Sequence, residues 1–283
     1  MSDFIEVITP GFYSTIQDLG RFGYAKFGVP QSGVMDSFSA RKANLLLNND
    51  PNAAVIEITM TGPVLKFHTS CFFAISGAAF AIELEDKLII NDKAYFASAG
   101  SVLRFKNVKQ GFRSYLAVKG GILSPQMLGS RSMYEGITSD FRLQKGDLLP
   151  VQASAEISHK SARVSFRESG IFSQKIEVFT GPEWVFIPES LKQRLLLDKF
   201  SLSKSGNRMA IQLEELLPNS MEGIVTGPVV PGTVQLTPAG KLIILMRDCQ
   251  VTGGYPRILQ LTEMAICTLA QKRPGDLINF KFK

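Results

Sequence analysis

Short apolar runs, separated at close intervals by Gly, Pro, Asn and Asp, restrict the fold of this 283-residue chain more than any other feature. The runs are four to six residues long and rich in β-branched residues, which is typical of strands in a sandwich or barrel. The chain is therefore predicted to be mainly β. The predicted strands are Val55–Thr59, Phe72–Ser76, Lys87–Ile90, Ser101–Phe105, Tyr115–Val118, Ile176–Thr180, Lys241–Met246 and Asp276–Phe280.

Three segments have the spacing of short helices instead. Asp36 is a good N-cap for a helix over Ser37–Leu47, which carries apolar residues on one face. Pro188–Leu197 begins with Pro and Glu, as helix N-termini often do. Leu259–Gln271 is predicted as the third helix because its apolar residues recur every four positions and a Pro-Gly pair follows it.

Two stretches of the chain resemble each other and raise the question of a duplication. Both Glu57 and Glu222 open the pattern E-x-x-x-T-G-P-V. A duplicated barrel with unequal insertions explains this, and so does chance similarity between turns. The polar stretch 153–167 is the best linker, so the predicted division is 1–152 and 168–283.

Composition and charge argue against several classes of protein. The 31 Lys and Arg exceed the 25 Asp and Glu, but they form no basic block, so nucleic-acid binding is not indicated. No apolar stretch is long enough for a membrane span, and Asp3 and Glu6 lie where a signal peptide needs basic residues. Cys71, Cys249 and Cys267 are widely spaced, which indicates free thiols in a reducing cytoplasm.

The common catalytic signatures are missing from the sequence. It has no phosphate loop, GxGxxG, GxSxG or HExxH motif and no Met-Lys-Met for biotin attachment. Two His and three isolated Cys predict no metal site. An enzyme built from this chain must therefore use carboxylates, Arg, amides and backbone N–H groups.

Two polar segments differ from ordinary connections. Thr15–Asp36 holds four glycines beside Arg21, and glycine at this density lets a backbone approach a ligand closely. In Ser203–Met209, Arg208 follows Asn207 and is suited to bidentate pairing with a carboxylate. The alternative is that the first is a surface loop and the second a solvated turn.

A third polar segment, Arg247–Ile258, is the most informative. An apolar strand leads into Asp248 and Gln250, followed by Gly253-Gly254 and, in this prediction, a helix. Backbone N–H groups at such a helix entry suit an anion or a carbonyl, with Asp248 supplying charge or basicity. The alternative is a turn whose polar residues cap one another.

Several motifs in a fixed order also carry a resemblance to a known family. They are TIQDLGR and GVPQSGVMD early in the chain, LAVKGGI and GSRS within 116–132, then SKSGNRM, TGGYPRI and RPGD. Over nearly its whole length the chain resembles the biotin-dependent carboxyltransferase family that includes allophanate hydrolase subunit 2. Within that family it is similar to the C subunit of ATP-dependent 5-oxoprolinase. The resemblance implies two cyclophilin-like β-barrel halves with a few short helices.

The resemblance also implies a function. We expect one subunit of a cytoplasmic heteromeric hydrolase, inactive alone, that opens 5-oxoproline to L-glutamate. The site is shared with a B-type subunit like allophanate hydrolase subunit 1, and an A subunit and ATP complete the complex. Two alternatives stay open: a regulatory protein that antagonises a kinase-inhibitor-like B partner, and a carboxyltransferase component acting on urea or a related amide.

The three polar segments are predicted to converge on one cleft between the halves. Arg208 is expected to bind the substrate carboxylate, with Arg21 as second candidate. Gln250 and the Gly253-Gly254 backbone are expected at the carbonyl oxygen, and Asp248 orients Gln250 or acts as a base. The other predicted substrate-binding residues are Ser32, Gly33, Met35, Asp36, Asn207, Thr252 and Tyr255.

Departures from the family pattern leave the substrate open. Arg247 and Val251 stand where the family usually has Ala and Thr, in A-D-x-Q-T-T-G-G-Y-P. Ala210 and Gln212 stand where Gly and Arg are usual after the Asn-Arg-Met motif.

Overall fold

The structure is a computed structural model that describes residues 3–154 and 170–283. Almost all of the predicted linker, 153–167, therefore lies outside the described residues. The chain forms two compact units, one of Met1–Arg21 with Ser32–Ser169 and one of Phe22–Gln31 with Gly170–Lys283. Each is built on a curled half-barrel sheet, which confirms the mainly β prediction. No helix among the described residues is long and apolar enough to cross a bilayer.

The first unit holds a nine-stranded antiparallel sheet and the helix α1 (Ser37–Leu45). Its strands are β1 (Phe4–Thr9), β2 (Tyr13–Gln17), β3 (Val55–Thr59), β4 (Val64–Phe67), β5 (Cys71–Leu84), β6 (Lys87–Ile89), β7 (Ala94–Ala97), β8 (Val102–Val118) and β9 (Leu148–Pro150). The order is β2-β3-β8-β4-β1-β9, and β5 pairs with β8, β6 and β7. The predicted strands Ser101–Phe105 and Tyr115–Val118 are the two ends of β8, because the polar residues between them continue the ladder with β5.

Side-chain alternation gives the sheet of the first unit two different faces. On β3, Ile56 and Ile58 point into the main apolar core. Val55 lies on the opposite face, in the smaller cluster beneath α1. Glu57 and Thr59 share that face by the same alternation and are buried as well. This face is therefore apolar under the helix and polar beside it.

Helix α1 begins where the sequence predicts. The Asp36 carboxylate accepts hydrogen bonds from the Ser39 backbone N–H at 3.0 Å and the Ser39 hydroxyl at 2.7 Å. Ala40, Ala43 and Leu47 are buried against the sheet. The N-cap and the apolar stripe together fix the direction of the helix.

The second unit holds a seven-stranded sheet, a two-stranded ribbon and two helices, α2 (Glu189–Leu197) and α3 (Glu263–Ala270). The sheet strands are β10 (Lys175–Thr180), β11 (Phe200–Ser201), β12 (Ala210–Gln212), β14 (Thr233–Leu236), β15 (Leu242–Leu245), β17 (Arg257–Leu261) and β18 (Leu277–Phe282), in the order β11-β18-β10-β17-β14-β15-β12. The ribbon pairs β13 (Gly227–Pro228) with β16 (Thr252–Gly253). Leu191 and Leu195 of α2 are buried.

The third helix begins later than predicted. Residues 257–261 form strand β17, and α3 starts after Thr262, whose hydroxyl accepts from the Ala265 N–H at 3.2 Å. The spacing of the apolar residues suited a helix, but their pairing with β10 and β14 decides for a strand. The Gly253-Gly254 turn therefore leads into a strand, and the predicted helix N-terminus is not there to donate N–H groups.

The two stretches that resemble each other in sequence do not occupy equivalent elements. Glu57 is buried in the middle of β3. Glu222 is exposed and lies outside the strands and helices. The E-x-x-x-T-G-P-V pattern therefore marks different local structures in the two units.

Candidate functional site

The first polar segment is held in place by the buried carboxylate of Asp18. Its Oδ1 accepts hydrogen bonds from the Gly20 N–H at 2.8 Å and from the hydroxyls of Ser130 at 2.6 Å and Ser132 at 2.7 Å. Its Oδ2 accepts from the Arg131 N–H at 2.7 Å. The TIQDLGR and GSRS motifs, far apart in sequence, thus meet at one carboxylate.

Arg21 and Ser32 lie where the chain passes from the first unit to the second and back. Arg21 is 2% exposed, and its Nη2 donates to the Ser132 carbonyl oxygen at 2.5 Å. The segment between them, Phe22–Gln31, belongs to the second unit. Because Arg21 is buried, a substrate carboxylate reaches it only if the surrounding chain opens.

The Ser32-Gly33 turn combines backbone strain with a buried polar atom. Ser32 has φ 56°, a left-handed conformation that is uncommon for a non-Gly residue. Its Oγ is buried and has no hydrogen-bond partner among the described residues. A Cβ at Gly33 would lie 2.7 Å from the carbonyl carbon of Leu19, so only glycine fits there. Strain and an unsatisfied hydroxyl together are typical of functional positions.

Two side chains of the sheet hold Met35 and Asp36, which follow this turn after Val34. The Met35 N–H donates to Glu57 Oε2 at 2.7 Å, and the Asp36 N–H donates to the Tyr115 hydroxyl at 2.8 Å. Glu57 and Tyr115 are directly opposite on β3 and β8. Burial, then the nearby carboxylates of Glu57 and Asp36, raises the pKa of Tyr115 well above its usual value. Sequence analysis missed both partners, although a Glu inside the apolar run VIEIT was a signal.

We expect Tyr115→Phe to destabilise the protein by about 1–3 kcal/mol, because the buried Asp36 N–H loses its acceptor. The measurement is urea denaturation followed by circular dichroism. Tyr95→Phe is the matched control, since the Tyr95 hydroxyl bonds Ile90 at 3.0 Å in an exposed position where water can replace it. Equal losses in the two variants would contradict the role assigned to Tyr115.

In the second unit, the structure brings Arg208 and Asp248 together. The Arg208 Nε lies 2.8 Å from Asp248 Oδ2, and its Nη2 lies 3.0 Å from Oδ1. The Asp248 N–H also donates to the Arg208 carbonyl oxygen at 2.9 Å. The side chains are only 7% and 13% exposed. The guanidinium fork expected to bind a substrate carboxylate thus binds a carboxylate of the chain itself.

The other predicted residues of this unit are more accessible. Asn207 is exposed, and its Oδ1 accepts from the N–H groups of Met209 and Ala210, at 2.8 and 3.0 Å, which shapes the turn. Thr252, Gly254 and Tyr255 are exposed along the ribbon. The Oε1 of Gln250 is buried and has no hydrogen-bond partner among the described residues, so it is an acceptor in need of a donor.

The ribbon rests on a partly buried ion pair that was not predicted from the sequence. The Arg257 side chain donates to Glu183 through Nε at 3.0 Å and Nη2 at 2.7 Å, and the Arg257 backbone N–H donates to the same carboxylate at 2.8 Å. Hydrogen bonding to Arg257 lowers the pKa of Glu183, and the same pair raises the pKa of Arg257. In the sequence, the only signal for this pair was the acidic residue Glu183 in the stretch Gly181–Trp184.

This pair predicts a dependence of stability on pH. Because Glu183 has a lower pKa in the folded protein than in the unfolded chain, its contribution is complete above pH about 4.3 and is lost as the pH falls through the folded value. The difference in unfolding free energy between wild type and Glu183→Gln should be constant at neutral pH and shrink in acid. Urea titrations at several pH values measure it, and a difference that does not begin to shrink as the pH falls below about 4.3 would contradict the assignment.

Arg247 and Cys249 flank Asp248 in the chain, and the surroundings of each indicate a structural role. Arg247, where the family pattern has Ala, pairs with Glu263 in the first turn of α3. Burial raises the pKa of Cys249 to about 12, so this residue is a thiol at neutral pH and a poor nucleophile. All three cysteines are free, as predicted, and all three are buried. Among the described residues, no group of His, Cys, Asp and Glu is arranged to hold a metal.

Comparison with known proteins decides the family. A family model described as "Carboxyltransferase domain, subdomain A and B" matches residues 27–282. The chain belongs to this carboxyltransferase family. It is 35% identical to the C subunit of 5-oxoprolinase from Escherichia coli (strain K12), over 98% of this chain and 90% of the relative. It is also 31% identical to the urea amidolyase of Lachancea kluyveri, over 97% of this chain and 17% of the relative.

Solved structures show the same carboxyltransferase fold. The urea carboxylase of Kluyveromyces lactis matches 99% of this chain with a TM-score of 0.86 and 28% identity. The urea amidolyase of K. lactis matches 99% with a TM-score of 0.84 and 28% identity. The chain spans 27% and 19% of those two proteins, so their activities as whole proteins do not transfer with the fold.

Proposed function

We propose that this carboxyltransferase-family chain is the C subunit of a heteromeric ATP-dependent 5-oxoprolinase that opens 5-oxoproline to L-glutamate. The observation that supports it is the match to 90% of the E. coli 5-oxoprolinase relative at 35% identity. In this proposal the site is shared with a B-type subunit, the cytoplasmic complex also includes an A subunit, and the chain alone is inactive.

The chemistry of 5-oxoproline suits the residues of the second unit. Its lactam presents an N–H donor and a carbonyl oxygen on adjacent atoms. The Oε1 of Gln250 is buried and has no partner among the described residues, so it is a suitable acceptor for the lactam N–H once the chain around it opens. In the Gly253-Gly254 segment, Gly254 is exposed and Gly253 half-buried, so backbone lies close to solvent where charge that develops on the carbonyl oxygen can be stabilised.

The Arg208–Asp248 pair acts as one unit in this proposal. Because Arg208 holds both oxygens of Asp248, the carboxylate is fixed in place just before Gln250 in the chain. Asp248 then supplies a preorganised carboxylate within a neutral pair, and in this proposal the substrate carboxylate is bound by a cation of the partner subunits.

We assign ATP to the partner subunits. The sequence has no phosphate loop. The N-terminus of α1, beside the glycine-rich segment, is capped by the Asp36 carboxylate, and the preceding N–H of Met35 is bound by Glu57. A phosphate at this position would face two carboxylates of the protein, so the site does not fit one.

A carboxyltransferase component acting on urea or a related amide is the second candidate. The structural match to K. lactis urea carboxylase favours it, since the TM-score of 0.86 covers 99% of this chain. An acceptor such as Gln250 Oε1 also suits an N–H of urea. Carboxylation in such a system needs a separate biotinylated protein, because this chain has no Met-Lys-Met attachment motif.

Reconstitution tests the proposal. The chain is co-expressed with candidate A and B-type subunits, and glutamate release from 5-oxoproline is measured with and without ATP. We expect release only from the full complex with ATP. A stable complex that releases no glutamate would contradict the proposal and favour a regulatory protein. Urea consumption that depends on a biotinylated protein and bicarbonate would favour the carboxyltransferase.

A further inference from the structure

The ribbon of β13 and β16 is too small to hold its own shape. Only two residues of each strand pair, Gly227 with Gly253 and Pro228 with Thr252. Glycine contributes no side chain, and proline contributes no N–H to the ladder. Isolated two-stranded structures are marginal in water even when they are longer. The position of Thr252 and Gly253 must therefore be set by what lies beneath the ribbon.

Two side chains of the sheet lie directly beneath it. Arg257 Nη1 donates to the Pro228 carbonyl oxygen at 2.8 Å, and a Cβ at Gly227 would lie 3.0 Å from the same nitrogen. On the other strand, a Cβ at Gly253 would lie 2.5 Å from the amide nitrogen of Gln235. The two glycines are thus the places where the ribbon backbone comes closest to these side chains.

Glu183 fixes the orientation of the Arg257 guanidinium. The carboxylate takes Nε and Nη2 in a fork and leaves Nη1 directed at Pro228. The two side chains are 17% and 13% exposed, so the fork to Glu183 is partly shielded from water. Lysine has one ammonium group and cannot make the fork and reach the carbonyl at the same time.

We propose that Arg257 is a positioning residue, which acts with Glu183 to set the place of the 252–255 segment without touching the substrate. The claim that Arg257 matters for the reaction rests on the proposed 5-oxoprolinase function. The claim that Arg257 sets the position of the ribbon does not depend on that function. The two parts can therefore be tested separately.

The first test needs no substrate. Amide hydrogen exchange is measured on wild type, Arg257→Lys and the control Arg194→Lys. The informative amides are Val229, bonded to the Val251 carbonyl, and Ile224, bonded to the Gly254 carbonyl. Arg194 is a matched control because it also pairs with a carboxylate, that of Asp198, and its Nη2 lies 3.4 Å from the Leu216 carbonyl oxygen. Unlike Arg257, it belongs to α2. We expect exchange at Val229 and Ile224 to speed up at least tenfold in Arg257→Lys only. Unchanged exchange there would overturn the inference.

The second test uses the reconstituted complex, well below the melting temperature of each variant. Arg257→Lys should lower kcat/KM on the order of 10- to 100-fold, because small displacements of a positioning group cost about that much. Arg194→Lys should match wild type. A loss in Arg257→Lys that only follows its unfolded fraction would overturn the positioning role. An inactive wild-type complex would instead refute the proposed function, and the exchange test would still decide the inference.

Discussion

Asp18→Ala is expected to lower the free energy of unfolding by roughly 2–6 kcal/mol, because its carboxylate is the shared acceptor of four hydrogen bonds. The hydroxyls of Ser130 and Ser132 can rotate toward other acceptors. The backbone N–H groups of Gly20 and Arg131 cannot, and each buried donor without an acceptor costs about 1–3 kcal/mol. The variant therefore leaves N–H groups without their acceptor in two motifs, TIQDLGR and GSRS, that are more than a hundred residues apart.

Urea denaturation measures this effect, and two variants interpret it. Asp18→Asn keeps one oxygen and the side-chain volume, so it should cost less than Asp18→Ala. Asp147→Ala removes a carboxylate that accepts one N–H, from Gln144 at 2.7 Å, at the surface. We expect that control to cost no more than about 1 kcal/mol, since water replaces the lost acceptor. An Asp18→Ala loss as small as that of Asp147→Ala would show that Asp18 does not organise the segment.

The fold was largely accessible from the sequence because its signals are local. The short β-branched run Val55–Thr59 predicted β3 with the same bounds as the structure, and Asp36 predicted the start of α1. The predicted start of the third helix, at Leu259, was wrong for a physical reason. Residues 257–261 have apolar positions that suit a helix, but the partners that make them a strand are β10 and β14, which lie elsewhere in the chain.

The candidate site was accessible only in part for the same reason. The glycine-rich motifs mark positions where the backbone needs the conformational freedom or the small size of glycine, and the sequence shows these positions directly. Their partners are distant: Tyr115 is 79 residues from Asp36, and Glu183 is 74 residues from Arg257. Such pairs depend on strand register, which no local pattern encodes. The convergence of all three polar segments on one cleft stays a prediction.

The Arg208–Asp248 pair is expected to produce the largest loss of activity. Arg208→Met alone or Asp248→Leu alone should destabilise the protein by about 3–5 kcal/mol, because each leaves the other charge buried without its partner. Each should also lower the activity of the reconstituted complex on the order of 10²-fold or more. The single variants cannot separate these two effects, since an unfolded subunit is also inactive.

The double variant Arg208→Met/Asp248→Leu separates them. Replacing both members of a buried pair by apolar side chains of similar size often restores stability, so the double variant should unfold close to wild type. If the pair takes part in the reaction, activity stays at least 10²-fold low although the protein is folded and still binds its partner subunits. The surface pair Arg194 and Asp198 is the control, and Arg194→Met/Asp198→Leu should change neither property, since exposed pairs contribute about 0–1 kcal/mol. Activity that returns with stability in the Arg208→Met/Asp248→Leu variant would make the pair structural and would refute the catalytic assignment of both residues.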